Sequence, residues 1–225
     1  MIGIFVLIWV GEEYLLNDQE DLAFLSYFAF IPARYGGASM AIRDFPGGIG
    51  ADIWTFVTYA FLHGSLAHVG LNSLWFLPFG SAVARRFGPL RFLGFFAATA
   101  IAGALVHLAI HYGEVFPMIG ASAAISGFMA GAMRFAFQRG GPLAMFQTGD
   151  MSAYRVPAEP LKVALTDTRV LVFLFAWFGL NLLFGIGPLS VFGGEQNIAW
   201  EAHIGGFVAG LLLFSWFDPV PPQAA

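Results

Sequence analysis

One apolar segment with regularly spaced glycines decides the fold of this chain: Gly120-Ala121-Ser122-Ala123-Ala124-Ile125-Ser126-Gly127-Phe128-Met129-Ala130-Gly131. Its last two glycines are four residues apart, so on a helix they lie on one face. A second segment, Ala202-His203-Ile204-Gly205-Gly206-Phe207-Val208-Ala209-Gly210, repeats this spacing at Gly206 and Gly210. Because small faces let membrane helices approach closely, we expect the two segments to pack together.

Ser122 and His203 are each predicted to lie one to two turns inside these helices, at a similar depth. An imidazole in hydrocarbon is costly and usually marks function. A serine becomes a nucleophile only when a base lies within hydrogen-bond reach. A lone serine in a membrane helix usually bonds its own backbone, but the matching depth favours a pair. Glu201 is two residues from His203 and should point elsewhere, so no acidic residue is expected to orient the imidazole.

The composition is that of an integral membrane protein. Of the 225 residues, 58% are hydrophobic and 11% charged, against about 25% charged in soluble domains. The mean hydropathy is +0.74. The net charge of -4 comes without a basic patch, so nucleic acid is not an expected partner. With no cysteine, a disulfide framework, a thiol nucleophile and a cysteine metal site are excluded.

Six apolar segments are predicted to span a bilayer, which takes about 20 residues each. They cover approximately residues 1–16, 66–84, 90–112, 117–137, 170–186 and 198–217. We expect one membrane domain over 1–225, with 218–225 as a loose tail. The first segment is short and contains Glu12 and Glu13; either the natural start is missing, or this helix ends in the interface. No basic residues precede it, which disfavours a cleaved signal peptide.

The basic residues predict the orientation. Eight of the ten lie on the connections between segments 2 and 3 and between segments 4 and 5: Arg85, Arg86, Arg91, Arg134, Arg139, Arg155, Lys162 and Arg169. The positive-inside rule makes this side cytoplasmic. The long 17–64 connection then faces outward, and its apolar stretch Trp54-Thr55-Phe56-Val57 suits the interface. The second, fourth and sixth segments all run inward, so Ser122 and His203 lie near the outer surface.

A third polar cluster opens the second segment: His63-Gly64-Ser65-Leu66-Ala67-His68-Val69-Gly70-Leu71-Asn72. His68 and Asn72 are four residues apart, on one helix face. Both can present N–H donors of the kind that stabilise an oxyanion when a serine attacks a carbonyl. Taken alone, these residues favour a purely structural role, in which Asn72 makes a hydrogen bond between packed helices and His68 lies in the membrane interface.

Together the three clusters resemble the rhomboid family of intramembrane serine proteases. The matching motifs are His-x4-His-x3-Asn at His63, His68 and Asn72, Gly-x-Ser at Gly120 and Ser122, and Ala-His-x2-Gly-x3-Gly at Ala202, His203, Gly206 and Gly210. The resemblance extends to Arg86-Phe87-Gly88 and to the six-segment plan, and covers most of the chain from about Trp54 onward. Three motifs in order on the right segments are a specific signal.

The resemblance implies an all-α membrane protein, a six-transmembrane-helix bundle with a long outer 1–2 loop. It implies an intramembrane serine endopeptidase in which Ser122 and His203 form a catalytic dyad and an acyl-enzyme is an intermediate. His68, Asn72 and the Ser122 N–H would form the oxyanion hole. Supporting roles would fall to His63, Gly120, Gly206 and Gly210. The fifth segment would act as a lateral substrate gate.

The implied partners are transmembrane protein substrates and the lipid bilayer, with no cofactor, no metal and no nucleic acid. The implied location is a bacterial inner membrane, with the active site open to the extracytoplasmic side.

The chain departs from the family pattern at several positions. The residue after the nucleophile is usually glycine, and here Ala123 adds a methyl group that could crowd the site. Some members stack an aromatic residue on the histidine four positions after the serine; Ser126 cannot do this, so His203 must be held otherwise. The outer loop commonly carries Trp-Arg and here reads Trp54-Thr55.

Two other functions are compatible with parts of the sequence. A catalytically inactive relative would bind transmembrane helices without cleaving them, but such proteins typically lose the serine or the histidine, and both remain here. A haem or metal protein is suggested by His107 and His111, whose i, i+4 spacing suits ligands. Because both are expected near the outer end of their helix, two interfacial histidines are the favoured interpretation.

Overall fold

The computed structural model of the protein describes residues 1–36, 45–143, 150–185 and 198–221. Within these ranges the secondary structure is helical, without a β-strand. The helices, in chain order, are α1 (Ile2–Leu15), α2 (Asp18–Phe28), α3 (Gly48–Thr58), α4 (Leu66–Phe87), α5 (Pro89–Ile110), α6 (Ser122–Ala132), α7 (Leu161–Ala164), α8 (Thr168–Gly185) and α9 (Trp200–Phe217). Short 3-10 turns cover Pro32–Tyr35, Tyr59–Phe61 and Met151–Arg155.

Two of these helices, α5 and α9, are long and apolar enough to cross a membrane by length and composition. Helices α1, α4, α5, α6, α8 and α9 lie within or overlap the six predicted segments. That all six cross the bilayer stays a prediction.

The helix in the fourth predicted segment is shorter than expected. Gly120 has a φ of +112°, which an α-helix cannot contain, so α6 begins only at Ser122. Ser122 is therefore the first residue of its helix, and the prediction of one to two turns inside was wrong. His203 is the fourth residue of α9, within its first turn.

The centre of the molecule is a close contact between α6, α5 and α9. Every residue of α6 after Ser122 is buried. A Cβ atom added at Gly206 or Gly210 of α9 would collide with the backbone of Ala123 or Gly127 on α6. The two helices thus meet backbone to backbone, as the glycine spacing predicted.

The predicted outer loop, residues 17–64, contains two helices, α2 and α3. Helix α2 starts with a capping box between Asn17 and Glu20, which satisfies its first free N–H groups. Trp54 is 39% exposed and its indole donates a hydrogen bond to the Tyr27 carbonyl. A β-bridge between Phe30 and Met118 joins this region to the segment that leads into α6. The outer region is therefore attached directly to the chain that presents Ser122.

The opposite end of the bundle is held by a buried ion pair. Arg86 of α4 is fully buried and donates two hydrogen bonds of 2.8 Å to the Asp218 carboxylate. It also donates to the carbonyl oxygens of Tyr154 and Val156. The prediction of a loose tail from residue 218 is thus wrong for Asp218, because this carboxylate balances a buried charge. Residues 222–225 of the predicted tail lie outside the described residues.

Candidate active site

Ser122 is presented by a turn that requires glycine. Gly120 donates its backbone N–H to the Tyr59 carbonyl over 3.0 Å, and its positive φ turns the chain into α6. A Cβ atom at this position would lie 2.6 Å from His68 Nε2. Glycine is therefore needed both for the backbone conformation and for the close approach of the His68 ring. This places His68 beside the turn that carries Ser122.

The structure brings the predicted serine and histidine together. Ser122 Oγ lies 2.7 Å from His203 Nε2, a hydrogen-bond distance, although the two residues are 81 positions apart. Ser122 stands at the start of α6 and His203 in the first turn of α9, so the contact of these two helices sets the distance. A hydroxyl and a ring nitrogen in this arrangement can exchange a proton.

A residue that the sequence did not predict for this site, Asn181, completes the arrangement. Asn181 of α8 places its Oδ1 2.5 Å from His203 Nδ1. Its Nδ2 donates to the Trp177 carbonyl over 2.8 Å, which orients the amide so that the oxygen faces the imidazole. Since an amide oxygen only accepts, Nδ1 must carry the proton, and Nε2 is left to accept from Ser122. The only sequence signal was an isolated asparagine inside an apolar run.

The other predicted donors come from α4, which carries His68 and Asn72, and from the first turn of α6. Asn72 is buried, and its Nδ2 donates to the His68 carbonyl over 3.0 Å, leaving a second N–H on the same nitrogen. The Ser122 N–H belongs to the first turn of α6 and so has no acceptor within that helix. These groups are suitable donors to an oxyanion, but their catalytic role stays a prediction.

His63 is buried beneath this cluster. Its ring lies 5.0 Å from the His68 ring, and its Nδ1 is 3.3 Å from the Phe61 carbonyl. Burial, with a smaller effect of His68, lowers the pKa of His63 to about 4. Its Nε2 has no hydrogen-bond partner among the residues that the structure describes. His63 therefore packs as a neutral ring against the histidine that borders the site.

Two departures from the family pattern have a structural explanation. The Ala123 side chain is 1% exposed and faces Gly103 of α5, so its methyl group fills a helix contact and does not crowd the Ser122 hydroxyl. Ser126 donates its hydroxyl to the Ser122 carbonyl over 2.8 Å and makes no ring contact with His203. The His203 imidazole is held instead by its hydrogen bond to Asn181.

Glu201 points away from the site, as its spacing predicted. Its Oε1 lies 2.6 Å from His107 Nδ1 on α5. The His203 ring thus has an amide partner and no carboxylate partner within the described residues.

Comparison with known proteins identifies relatives of this chain. A family profile for the rhomboid domain matches residues 50–217. Rhomboid protease GluP of Bacillus subtilis (strain 168) is 27% identical over 157 residues, which is 70% of this chain and 24% of GluP. Rhomboid protease GlpG of Serratia proteamaculans (strain 568) is 27% identical over 168 residues, 73% of this chain and 48% of GlpG. The matches thus span about a quarter and about half the length of these relatives.

Proposed function

Because this chain belongs to the rhomboid family, we propose that it is an intramembrane serine endopeptidase that cleaves transmembrane segments of membrane proteins. The observation that carries the proposal is the 2.7 Å contact between Ser122 Oγ and His203 Nε2. A serine hydroxyl with a base in reach, and with that base held by a third group, is the arrangement that activates a nucleophile.

In the proposed topology, helices α1, α4, α5, α6, α8 and α9 cross the membrane, and α2 and α3 lie on the outer side. Most of the basic residues lie on the connections after α4 and α6, and the positive-inside rule supports placing these connections on the cytoplasmic side. Ser122 and His203 then open to the extracytoplasmic side. Both named relatives are bacterial, which supports a bacterial inner membrane as the location.

Acylation begins with proton transfer from Ser122 Oγ to His203 Nε2 while Oγ attacks the carbonyl carbon of the scissile peptide. The Asn181 amide oxygen holds Nδ1–H and so keeps Nε2 unprotonated before the attack. The Ser122 N–H, His68 and Asn72 donate hydrogen bonds to the oxyanion that forms. Donors of this kind each contribute about 3–4 kcal/mol in comparable sites.

The tetrahedral intermediate collapses when the peptide C–N bond breaks and His203 Nε2–H protonates the leaving amine. Water then donates its proton to Nε2 and attacks the acyl carbon. The second collapse returns the proton to Ser122 Oγ and releases the new carboxyl group. A single imidazole thus serves as base and acid in both halves of the reaction.

Helix α8 is the proposed lateral gate for substrates. Much of its surface is exposed, including Phe175 and Leu182. It packs on α9 through the Trp177 ring, stacked 4.5 Å from Phe207. Asn181 lies on this same helix, so a movement of α8 that admits a substrate also changes the hydrogen bond to His203.

A proteoliposome assay with a generic single-span substrate tests the proposal. The wild type should cleave the substrate and react with a fluorophosphonate, whereas Ser122→Ala and His203→Ala should do neither while remaining folded. Ser152→Ala is the matched control, because Ser152 is an exposed serine on the proposed cytoplasmic side, and it should cleave at the wild-type rate. Full cleavage by Ser122→Ala would refute the assignment. A wild type that binds the substrate without cleavage or labelling would instead be the inactive relative.

A further inference from the structure

A second polar cluster lies at the outer ends of α5 and α9, next to the site but not used by the proposed reaction. It consists of His107 and His111, near the end of α5, and Glu201, in the first turn of α9. One ligating atom of each residue lies within 4.8 Å of the other two. We propose that these three side chains bind a divalent transition-metal ion, with Zn²⁺ as the best match. This site is independent of the proposed peptidase activity.

The chemistry of the three side chains fits Zn²⁺. Two imidazoles with one carboxylate form a ligand set that zinc proteins use, with water in the fourth position. His107 and His111 are one turn apart, which places both rings on one face of the helix. Glu201 is only 4% exposed, and a buried carboxylate requires a compensating positive charge or hydrogen-bond donors. A cation at this point would supply that charge.

Two of the three distances between ligand atoms can be compared with those of a loaded site, and all three atoms lie within 4.8 Å of one another. Zn–N and Zn–O bonds of about 2.0–2.1 Å in a tetrahedron place the ligand atoms about 3.3 Å apart. His111 Nε2 is 3.4 Å from Glu201 Oε1, which already matches. His107 Nδ1 is 2.6 Å from the same oxygen. This second contact must open by about 0.7 Å for an ion to replace the shared proton.

An outer carboxylate orients one of the ligands. His111 Nδ1 lies 2.9 Å from Glu114 Oε2, so this nitrogen is a donor and Nε2 is directed at Glu201. Zinc-bound histidines commonly donate their other N–H to a carboxylate in this way. A simple His107–Glu201 ion pair would not require His111 or Glu114. Their arrangement is therefore the observation that favours a metal site over an ion pair alone.

The cluster also has a route to water. The side chains of His111 and Glu114 are 32% and 52% exposed, while Glu201 is buried beneath them. An ion can thus enter from the outer surface and keep a water molecule as its fourth ligand. Once bound, it would fasten the end of α5 to the first turn of α9, two residues before His203.

The test uses the full chain in detergent, purified without a histidine tag and stripped of metal with a chelator. Titration with Co²⁺ should produce the visible absorption of a tetrahedral ion at one equivalent per chain, and Zn²⁺ should abolish it by displacement. His111→Ala and Glu201→Gln each remove a ligand and should weaken Co²⁺ binding by more than about 100-fold, whereas Glu114→Gln, which acts only through His111, should weaken it by about 10- to 100-fold. Ser122→Ala, which leaves all three ligands in place, should bind as the wild type does.

Two results would overturn the proposal. One is the absence of stoichiometric Co²⁺ binding to the wild type; if Glu201→Gln then still lowers the melting temperature, the cluster is an ion pair only. The other is equal binding by the wild type and His111→Ala, which would place the ion elsewhere. His111 is partly exposed, so its variant remains informative even if Glu201→Gln fails to fold.

Discussion

Asn181 Oδ1 on α8 lies 2.5 Å from His203 Nδ1 on α9, and this contact determines which imidazole nitrogen faces Ser122. The Trp177 carbonyl accepts from the other end of the same amide, so the oxygen is held toward the ring. The proposed gate helix therefore also orients the proposed base. The proposed gate and the proposed base are thus connected through the Asn181 side chain.

Asn181→Ala should lower kcat by about 10- to 100-fold with little change in KM. The substitution removes the hydrogen bond between Asn181 and the His203 ring, which becomes charged in the transition state. Hydrogen bonds to charged groups contribute about 1.5–3 kcal/mol. Asn181→Asp keeps an oxygen acceptor and should retain more activity. The measurement is steady-state cleavage in proteoliposomes, together with the rate of fluorophosphonate labelling of Ser122.

Gly179→Ala is the matched control for Asn181, because a Cβ atom at this exposed position of α8 meets nothing within 4 Å. It should leave both rates unchanged. If Asn181→Ala lowers the melting temperature but leaves kcat and labelling at wild-type values, the residue holds α8 in place and does not orient His203.

The sequence allowed three features to be predicted: the helical class from the apolar segments, the α6–α9 contact from the glycine spacing, and the meeting of Ser122 with His203 from their matching positions in two segments together with the rhomboid resemblance. Glycines four residues apart mark a helix face without reference to the rest of the fold. The start of α6 was placed too early because hydropathy does not detect the positive φ of Gly120. Apolar composition continues through that turn although the helix does not.

The partners that were missed are those without a local pattern. Glu201 lies 94 residues from His107, and Asp218 lies 132 residues from Arg86. Asn181 is a single polar residue with no periodic companion. Each finds its partner only after the helices have packed, so neither spacing nor composition can predict the contact.

Asn72→Ala should reduce kcat by about 10²- to 10³-fold, the usual loss when one oxyanion donor is removed. The second N–H of the Asn72 amide is proposed to donate a hydrogen bond to the substrate carbonyl oxygen. This bond becomes stronger as the oxyanion forms. Leu71→Ala, at the adjacent exposed position of α4, controls for a general effect on this helix. Single-turnover kinetics with saturating substrate give the comparison. An Asn72→Ala variant with unchanged kcat would remove this residue from the oxyanion hole.

Gly206→Ala should destabilise the protein by about 1–3 kcal/mol or more, since its methyl group would collide with the Ala123 backbone and overpacking has this cost. The same change at Gly70 adds a methyl group in open space and should have little effect. Denaturant unfolding in detergent micelles measures both. Equal stability of the two variants would show that α6 and α9 can separate without penalty.

Arg86→Met should lower the free energy of unfolding by about 3–5 kcal/mol, because the buried Asp218 carboxylate loses its charge partner. Arg91→Met, which alters an exposed arginine at the start of α5, is the control and should cost far less. Asp218→Asn should lower the free energy of unfolding by an amount between those of these two variants, since it leaves Arg86 bonded to the Tyr154 and Val156 carbonyls. A negligible change in Arg86→Met would mean that the ion pair does not hold this end of the bundle.

Stability should fall as the pH is lowered from 6.5 toward 4, in part because of His63. In the folded protein burial lowers the pKa of His63 to about 4, from the ordinary histidine value of 6.5. Between these values the unfolded chain binds a proton that the folded chain excludes, so acid favours unfolding, by up to about 3 kcal/mol. His63→Gln cannot bind that proton, and its melting temperature in detergent should therefore decline less steeply over this range than that of the wild type. Parallel curves for the two proteins would mean that His63 does not titrate on unfolding.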